Sequence, residues 1–234
     1  ENSDIELEVG ISIDKSTVTQ TLKILSIWNR WYNCNRKIEI FSKTEANDTR
    51  NNSNSCAQLF SGGIDSLATF IKNKREIEHL IFYYGADIPF FKPSAYKTAY
   101  LDICNFAKKQ GKKIIPISTN VRFLSRASWE YLLHGHAMIG PALALSNFIG
   151  KIYVGASFSG DCAKFLPWGS HPELDPLIST GRIEVIHDSF DLGRPQKIEL
   201  LSRHMEILEN LRVCPQLSGE GKNCGYCEKC YRTT

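Results

Sequence analysis

Two groups of residues in this 234-residue chain have the types and spacing to do chemistry. The first is Ser61-Gly62-Gly63-Ile64-Asp65-Ser66. Leu59-Phe60 leads into it and the helix-forming Leu67-Ala68-Thr69-Phe70-Ile71 follows, so the hexapeptide is expected to join a strand to a helix. Paired glycines can take positive φ and let the backbone approach a ligand. The N–H groups at a helix start then favour an anion, phosphate above all. Ser61 and Ser66 add hydroxyl donors. A carboxylate beside phosphate requires a cation between them, so Asp65 is assigned to Mg²⁺, which takes few carboxylates together with phosphate oxygens. The plainer reading is a tight turn with Asp65 and Ser66 capping a helix; a strand before and a helix after favour the anion site. No Gly-x-x-x-x-Gly-Lys-Ser/Thr occurs, which excludes the phosphate loop of kinases and GTPases.

The second group is Cys214 with Cys224, Cys227 and Cys230. Four thiolates can close a tetrahedral zinc site with bonds of about 2.3 Å, and Gly225 permits the tight turn between ligands. A full sulfur shell leaves no open position, so the metal is expected to staple a chain end and to affect catalysis only through folding. Four cysteines also suit an iron–sulfur cluster. Half of the eight cysteines crowd into this stretch, which favours a metal in a reducing compartment over a disulfide framework. Cys34, Cys56, Cys104 and Cys162 are scattered and read as small buried hydrophobes.

Elements must hold these groups in place. From Cys56 onward, strand-length apolar runs (57–60, 80–84, 113–118, 151–156, 182–187) alternate with helix-length stretches (65–75, 94–110, 131–148, 196–211). This pattern predicts an α/β fold, a parallel doubly wound sheet followed by a small C-terminal four-cysteine zinc knuckle. Functional residues should gather at the strands' C-terminal ends, and Tyr84 with Gly85, closing the second run, are assigned to the nucleotide on that ground. Ahead of the sheet, Ile5 to Val9 alternates like a strand and Thr21 to Tyr32 is spaced like a helix. Glu45 to Ser55 is almost wholly polar and reads as a mobile loop, with chance glycosylation matches at Asn47 and Asn51. The expected units are 1–55, 56–212 and 213–234.

Ser-Gly-Gly-x-Asp-Ser after a strand resembles the signature of the N-type ATP pyrophosphatases, which adenylate a substrate and release pyrophosphate. A lone cysteine, a spacer and Cys-Gly-x-Cys-x-x-Cys, in that order after the loop, resemble the 7-cyano-7-deazaguanine synthases within that superfamily. The resemblance runs from about Ala57 to Arg232 and is sharp at its two ends. It implies an adenine nucleotide alpha hydrolase-like sheet, with ATP and Mg²⁺ on Ser61 to Ser66 and zinc on the four cysteines. Catalysis would rest on Asp65 and Ser66, a substrate carboxylate or amide oxygen would be adenylated, and the implied reactants are a 7-deazapurine carboxylate and ammonia. Relatives in bacterial antiviral operons look as if they attach a deazapurine to a macromolecule, so a protein or nucleic-acid acceptor stays open, as does a homodimer.

The chain departs from that family's Tyr-Pro-Asp-Cys-Arg segment and carries instead Phe165-Leu166-Pro167-Trp168-Gly169-Ser170-His171-Pro172-Glu173-Leu174-Asp175-Pro176. Trp168, His171 and Asp175 are the types that make a stacking surface with a few polar contacts, against the alternative of a rigid loop around one buried Trp. His134 and His136, two apart, cannot share one helical face, which argues against a two-histidine metal site; one should face ATP, and His136 is assigned to the substrate. Lys164, Arg182, Arg194 and Lys197 could neutralise phosphate charge, although solvation is the simpler expectation for each. Two rivals remain: a tRNA thiolase using Cys162, and a nucleotide-binding module without catalysis.

A formal charge of +3 with no basic stripe gives no support for nucleic-acid binding. No apolar run approaches the length of a membrane span, and the charged opening Glu1-Asn2-Ser3-Asp4 is no secretory signal, so the cytoplasm is expected. The missing initial Met suggests a fragment.

Overall fold

The computed structural model describes residues 5–33, 37–45, 53–124, 126–163, 165–214 and 223–233. Glu1 to Asp4, Cys34, Lys164 and most of the polar 45–55 stretch, including Asn47 and Asn51, lie outside them.

The chain begins with β1 (Ile5–Asp14), α1 (Lys15–Tyr32) and β2 (Ile38–Glu45). The two strands pair in parallel, with α1 as their crossover. Asn33, at φ 49°, closes the helix in the left-handed region that Asn tolerates. β2 has no counterpart in the sequence reading, because Ile38-Glu39-Ile40-Phe41 runs straight into polar residues.

The main body is a five-stranded parallel sheet of β3 (Cys56–Leu59), β4 (Ile77–Tyr84), β5 (Lys113–Ser118), β6 (Lys151–Gly155) and β7 (Glu184–Asp188). Its spatial order is β5-β4-β3-β6-β7. All four β3 residues are buried, as a central strand covered on both faces requires. One face packs against α2 (Ile64–Asn73) and α3 (Pro93–Lys109), where Phe60 and Phe106 stack at 5.1 Å. Beyond β5 come the short α4 (Val121–Leu124) and then α5 (His134–Leu143), whose Ile139 and Ala142 fill the other face. After α6 (Gly160–Ala163) and β7, α7 (Arg194–Ser202) and α8 (Met205–Leu208) return to the α2 side, and α9 (Glu228–Tyr231) ends the described chain. No helix among the described residues is long and apolar enough to cross a membrane.

Two expected helices differ in detail. The stretch expected over 131–148 is a π-helical turn, Trp129–Leu133, leading into α5, which ends just past Pro141 because proline offers no N–H to the ladder. The one expected over 196–211 divides between α7 and α8.

This topology fixes where a ligand can enter. The chain steps outward from β3 to β4 and β5, then returns to lay β6 on β3's other side, so loops leaving β3 and β6 diverge to opposite faces. In such sheets the crevice at that switch point receives the ligand.

Candidate functional site

Ser61 to Ser66 sits at this point, as the link from β3 to α2. Gly62 has φ +76°, a conformation glycine adopts without strain. The first ladder bond of α2 runs from Leu67 N to Gly63 O at 2.9 Å, and no side chain caps the helix. The amides of Ile64, Asp65 and Ser66 therefore precede the ladder and offer an anion site with the helix dipole behind it. Gln58 Nε2 donates to Ser66 O at 2.6 Å, fastening the helix start to the central strand. Ser66 Oγ donates to Gly63 O at 3.0 Å and stands 3.4 Å from Ser61 Oγ, so both hydroxyls lie at the turn.

Asp65 is held by a residue that sequence reasoning left in solvent. Lys197 of α7 is 1% exposed, and its Nζ lies 2.9 Å from Asp65 Oδ1 while also donating to the Ala156 carbonyl at the end of β6. Helix α2 can come this close to β6 because residue 155 is glycine; a Cβ there would stand 2.8 Å from the Asp65 carbonyl oxygen.

A cavity of about 660 Å³ opens from the loop. Arg212 lies over the glycines: its Nε and Nη2 donate to the Ser61 carbonyl at 3.1 and 2.9 Å, and its backbone N–H donates to Gly62 O at 2.8 Å. Burial pulls the Arg212 pKa below the ordinary arginine value, with Asp87, which also lines the cavity, opposing it; the guanidinium's close acceptor is a neutral carbonyl. Arg194 and Lys229 also face the cavity. Across from the loop the wall is aromatic and comprises Trp129, His134, Met138 and Trp168. Trp168 meets Phe158 edge-on at 5.1 Å and Tyr131 at 5.5 Å. Its loop is docked on the π-helical turn, with Gly169 N donating to Glu130 O at 2.8 Å and Gly135 N to Gly169 O at 3.1 Å. His134 Nδ1 and Trp168 Nε1 are buried with no hydrogen-bond partner. Burial lowers the His134 pKa and keeps the ring neutral.

Several assigned residues stand elsewhere. Tyr84 and Gly85 do not line the cavity. The Tyr84 hydroxyl donates to Phe90 O at 2.8 Å and its ring stacks on Tyr96 at 4.2 Å, while Gly85, at φ +90°, lets the chain pass Thr119 and Phe90. In the histidine pair it is His134 that faces the cavity; His136 turns away, 5.3 Å from Trp28 of α1, where burial lowers its pKa. His171 and Asp175 lie behind the wall. Asp175 is 0% exposed and accepts from Ser170 Oγ at 2.6 Å and from the His171 N–H at 3.2 Å, with His187 Nδ1 2.8 Å away. His171 Nδ1 accepts from Glu173 N at 3.0 Å, Nε2 meets the Ala163 carbonyl, and Trp31 abuts the ring. This network and α1 thus position the Trp168 segment; Ser170 lines the cavity, whereas His171, Asp175 and His187 do not. Arg182 bonds Asn147 away from the cavity.

Cys162 is exposed and off the cavity wall, so it is neither a buried hydrophobe nor placed beside the loop. Cys56 is buried at the start of β3, the end of that strand remote from the loop, and burial followed by Glu76 pushes its thiol up to about 11.

The four C-terminal cysteines come together. Their sulfurs lie within 4.8 Å of one another, with 3.5 Å between Cys227 and Cys230, 3.8 Å between Cys214 and Cys227, and 3.9 Å between Cys224 and Cys230. A tetrahedron with metal–sulfur bonds of about 2.3 Å has edges of about 3.8 Å, so the cluster has the size of a single-ion site. The Cys227 N–H points at Cys224 Sγ, 3.3 Å away, and Gly225 takes φ +78°.

Sequence reasoning missed Arg212 and favoured solvent for Lys197, because each cation's role depends on contact with a loop more than 130 residues earlier in the chain. No protein-family model matches the chain, and no curated protein or solved structure matches it either.

Proposed function

We propose that the chain is a cytoplasmic ATP-dependent ligase that adenylates a substrate oxygen and releases pyrophosphate. The observation that carries this reading is the uncapped Ser61 to Ser66 turn at the sheet's switch point, with Arg212 half-buried over it and the cavity opening beyond. The finer fold assignment, adenine nucleotide alpha hydrolase-like, belongs to the same proposal. The α2 amides, the two serine hydroxyls and Arg212 bind the β- and γ-phosphates, and Arg194 and Lys229 add positive charge nearby. Mg²⁺ neutralises phosphate charge when bound, and Asp65 is the carboxylate that would hold it, with Lys197 fixing the carboxylate's orientation. A substrate carboxylate oxygen attacks the α-phosphorus, the bond to the bridging oxygen breaks, and pyrophosphate departs. A nitrogen nucleophile then displaces AMP.

The Trp168 and Trp129 wall suits a planar heteroaromatic acid. A 7-deazapurine carboxylate, with ammonia as nucleophile, meets this description. Zinc is the ion we assign to Cys214, Cys224, Cys227 and Cys230, because four thiolates at single-ion spacing match its preferred shell, whereas an iron–sulfur cluster needs thiolates further apart. The test is mass spectrometry of ATP-dependent products from a panel of deazapurine acids with ammonia: a mass one amide formation away from a panel acid is expected. Absence of any ATP-dependent product across the panel removes the deazapurine assignment.

A further inference from the structure

The cysteine cluster is more than a staple on a chain end. Cys214, whose sulfur belongs to the cluster, and Lys229, between Cys227 and Cys230, both line the cavity. The segment joining cluster to loop is short and pinned at both ends. At one end Arg212 bonds the Ser61 and Gly62 carbonyls. At the other, Asn223, next to Cys224, accepts through Oδ1 from Val213 N at 2.9 Å and Cys214 N at 3.2 Å, and donates from Nδ2 to Leu211 O at 2.7 Å. The contact is close enough that a Cβ on Gly62 would stand 3.5 Å from Asn210 O, and one on Gly63 3.6 Å from Arg212 O.

We infer that metal in the four-cysteine cluster sets the affinity of the glycine loop for pyrophosphate, through Asn223 and the Leu211 to Cys214 segment that carries Arg212. The inference rests on the phosphate-binding reading of that loop. When the thiolates converge on one ion, Cys214 and Cys224 are fixed relative to each other and Asn223 is held against the segment. Arg212 then stays on the Ser61 carbonyl, its guanidinium already ordered and desolvated for an arriving anion. Without the ion the segment keeps its hydrogen bonds and the packing of Leu211 and Val213 on the core but loses the cluster's hold on Cys214 and Asn223, and ordering Arg212 becomes a cost of binding. Asn223 is therefore a positioning residue and Arg212 a binding residue.

The experiment is calorimetric titration of magnesium pyrophosphate into the full chain, zinc-loaded and Asn223→Ala, with metal content and circular dichroism recorded for each. Asn223→Ala keeps all four thiolates and should retain about one zinc and the native spectrum. Its pyrophosphate affinity should nevertheless fall on the order of tenfold, within the usual range of coupling between sites. Asn223→Asp, which keeps the Oδ1 acceptor for two of the three bonds, should recover much of the loss. Arg212→Ala in the Asn223→Ala background should cost less than Arg212→Ala alone, since the guanidinium is already mispositioned. Unchanged affinity in folded, zinc-loaded Asn223→Ala overturns the coupling while leaving the loop's role standing. Wild-type protein with no affinity for magnesium pyrophosphate overturns the reading of the loop and the coupling with it.

Discussion

Lys197 Nζ lies 2.9 Å from Asp65 Oδ1 and joins α7 to the first turn of α2 beneath the glycine loop. Lys197 is 1% exposed, whereas the Asp65 side chain is 35% exposed, so the carboxylate shields a buried cation while presenting an edge to the cavity. This pairing predicts that Asp65→Asn destabilises the fold. Leaving the Lys197 ammonium uncompensated should cost about 2 kcal/mol, below the value for a fully buried pair because Asp65 is partly solvated. The companion Asp65→Asn/Lys197→Met chain should regain that stability in urea unfolding. Both variants should lack magnesium-dependent pyrophosphate release.

Trp168 and Trp129 both line the cavity. Trp168→Ala should weaken binding of the acid substrate by about 10- to 30-fold, the usual cost of losing a central aromatic contact, while ATP affinity moves less than about twofold. Trp168→Phe keeps a stacking face but removes the indole N–H and should fall between. Parallel titrations of ATP and substrate separate these outcomes from loss of folding, which would weaken both equally.

One zinc per chain is expected by elemental analysis, and Cys227→Ser should lower metal content and the thermal midpoint together, because the site has no preformed counterpart in the unfolded chain. Cys162→Ser should change neither and should keep pyrophosphate release, since Cys162 is exposed and off the cavity wall. Loss of activity in Cys162→Ser would instead favour a sulfur-transfer reaction.

Acid should destabilise the protein through His134 and His136, whose pKa values burial lowers. Below the ordinary imidazole value of about 6.5 the unfolded chain binds protons that the folded chain refuses, so stability present at neutral pH is lost as pH falls. The thermal midpoint should therefore drop between pH 7.5 and 5.5, and His136→Phe, which keeps a ring against Trp28, should blunt that drop if it folds.

The parallel sheet and the glycine turn between strand and helix were legible because their signals are local: apolar runs of strand length and a glycine pair ahead of a helix-forming stretch. Tertiary commitments were not. Tyr84 ends a strand, as a ligand residue would, yet its hydroxyl and ring are taken up by Phe90 and Tyr96. His171 and Asp175 belong to a segment that does reach the cavity through Trp168 and Ser170, but nothing in their spacing distinguishes the wall from the network behind it. His134 and His136 are told apart only by the arrival of Trp28 from α1. The cysteine cluster was visible from its spacing. Its contact with the cavity was not, because that depends on where Arg212 and Asn223 fold back.

Exchange of labelled pyrophosphate into ATP, followed with the substrate acid present and the nitrogen nucleophile withheld, tests the central claim most directly. Reversible adenylation predicts label in ATP that requires both the acid and Mg²⁺ and disappears in Asp65→Asn. Hydrolysis of ATP to ADP and phosphate, or an absence of exchange in protein that binds both ATP and the acid, would contradict it.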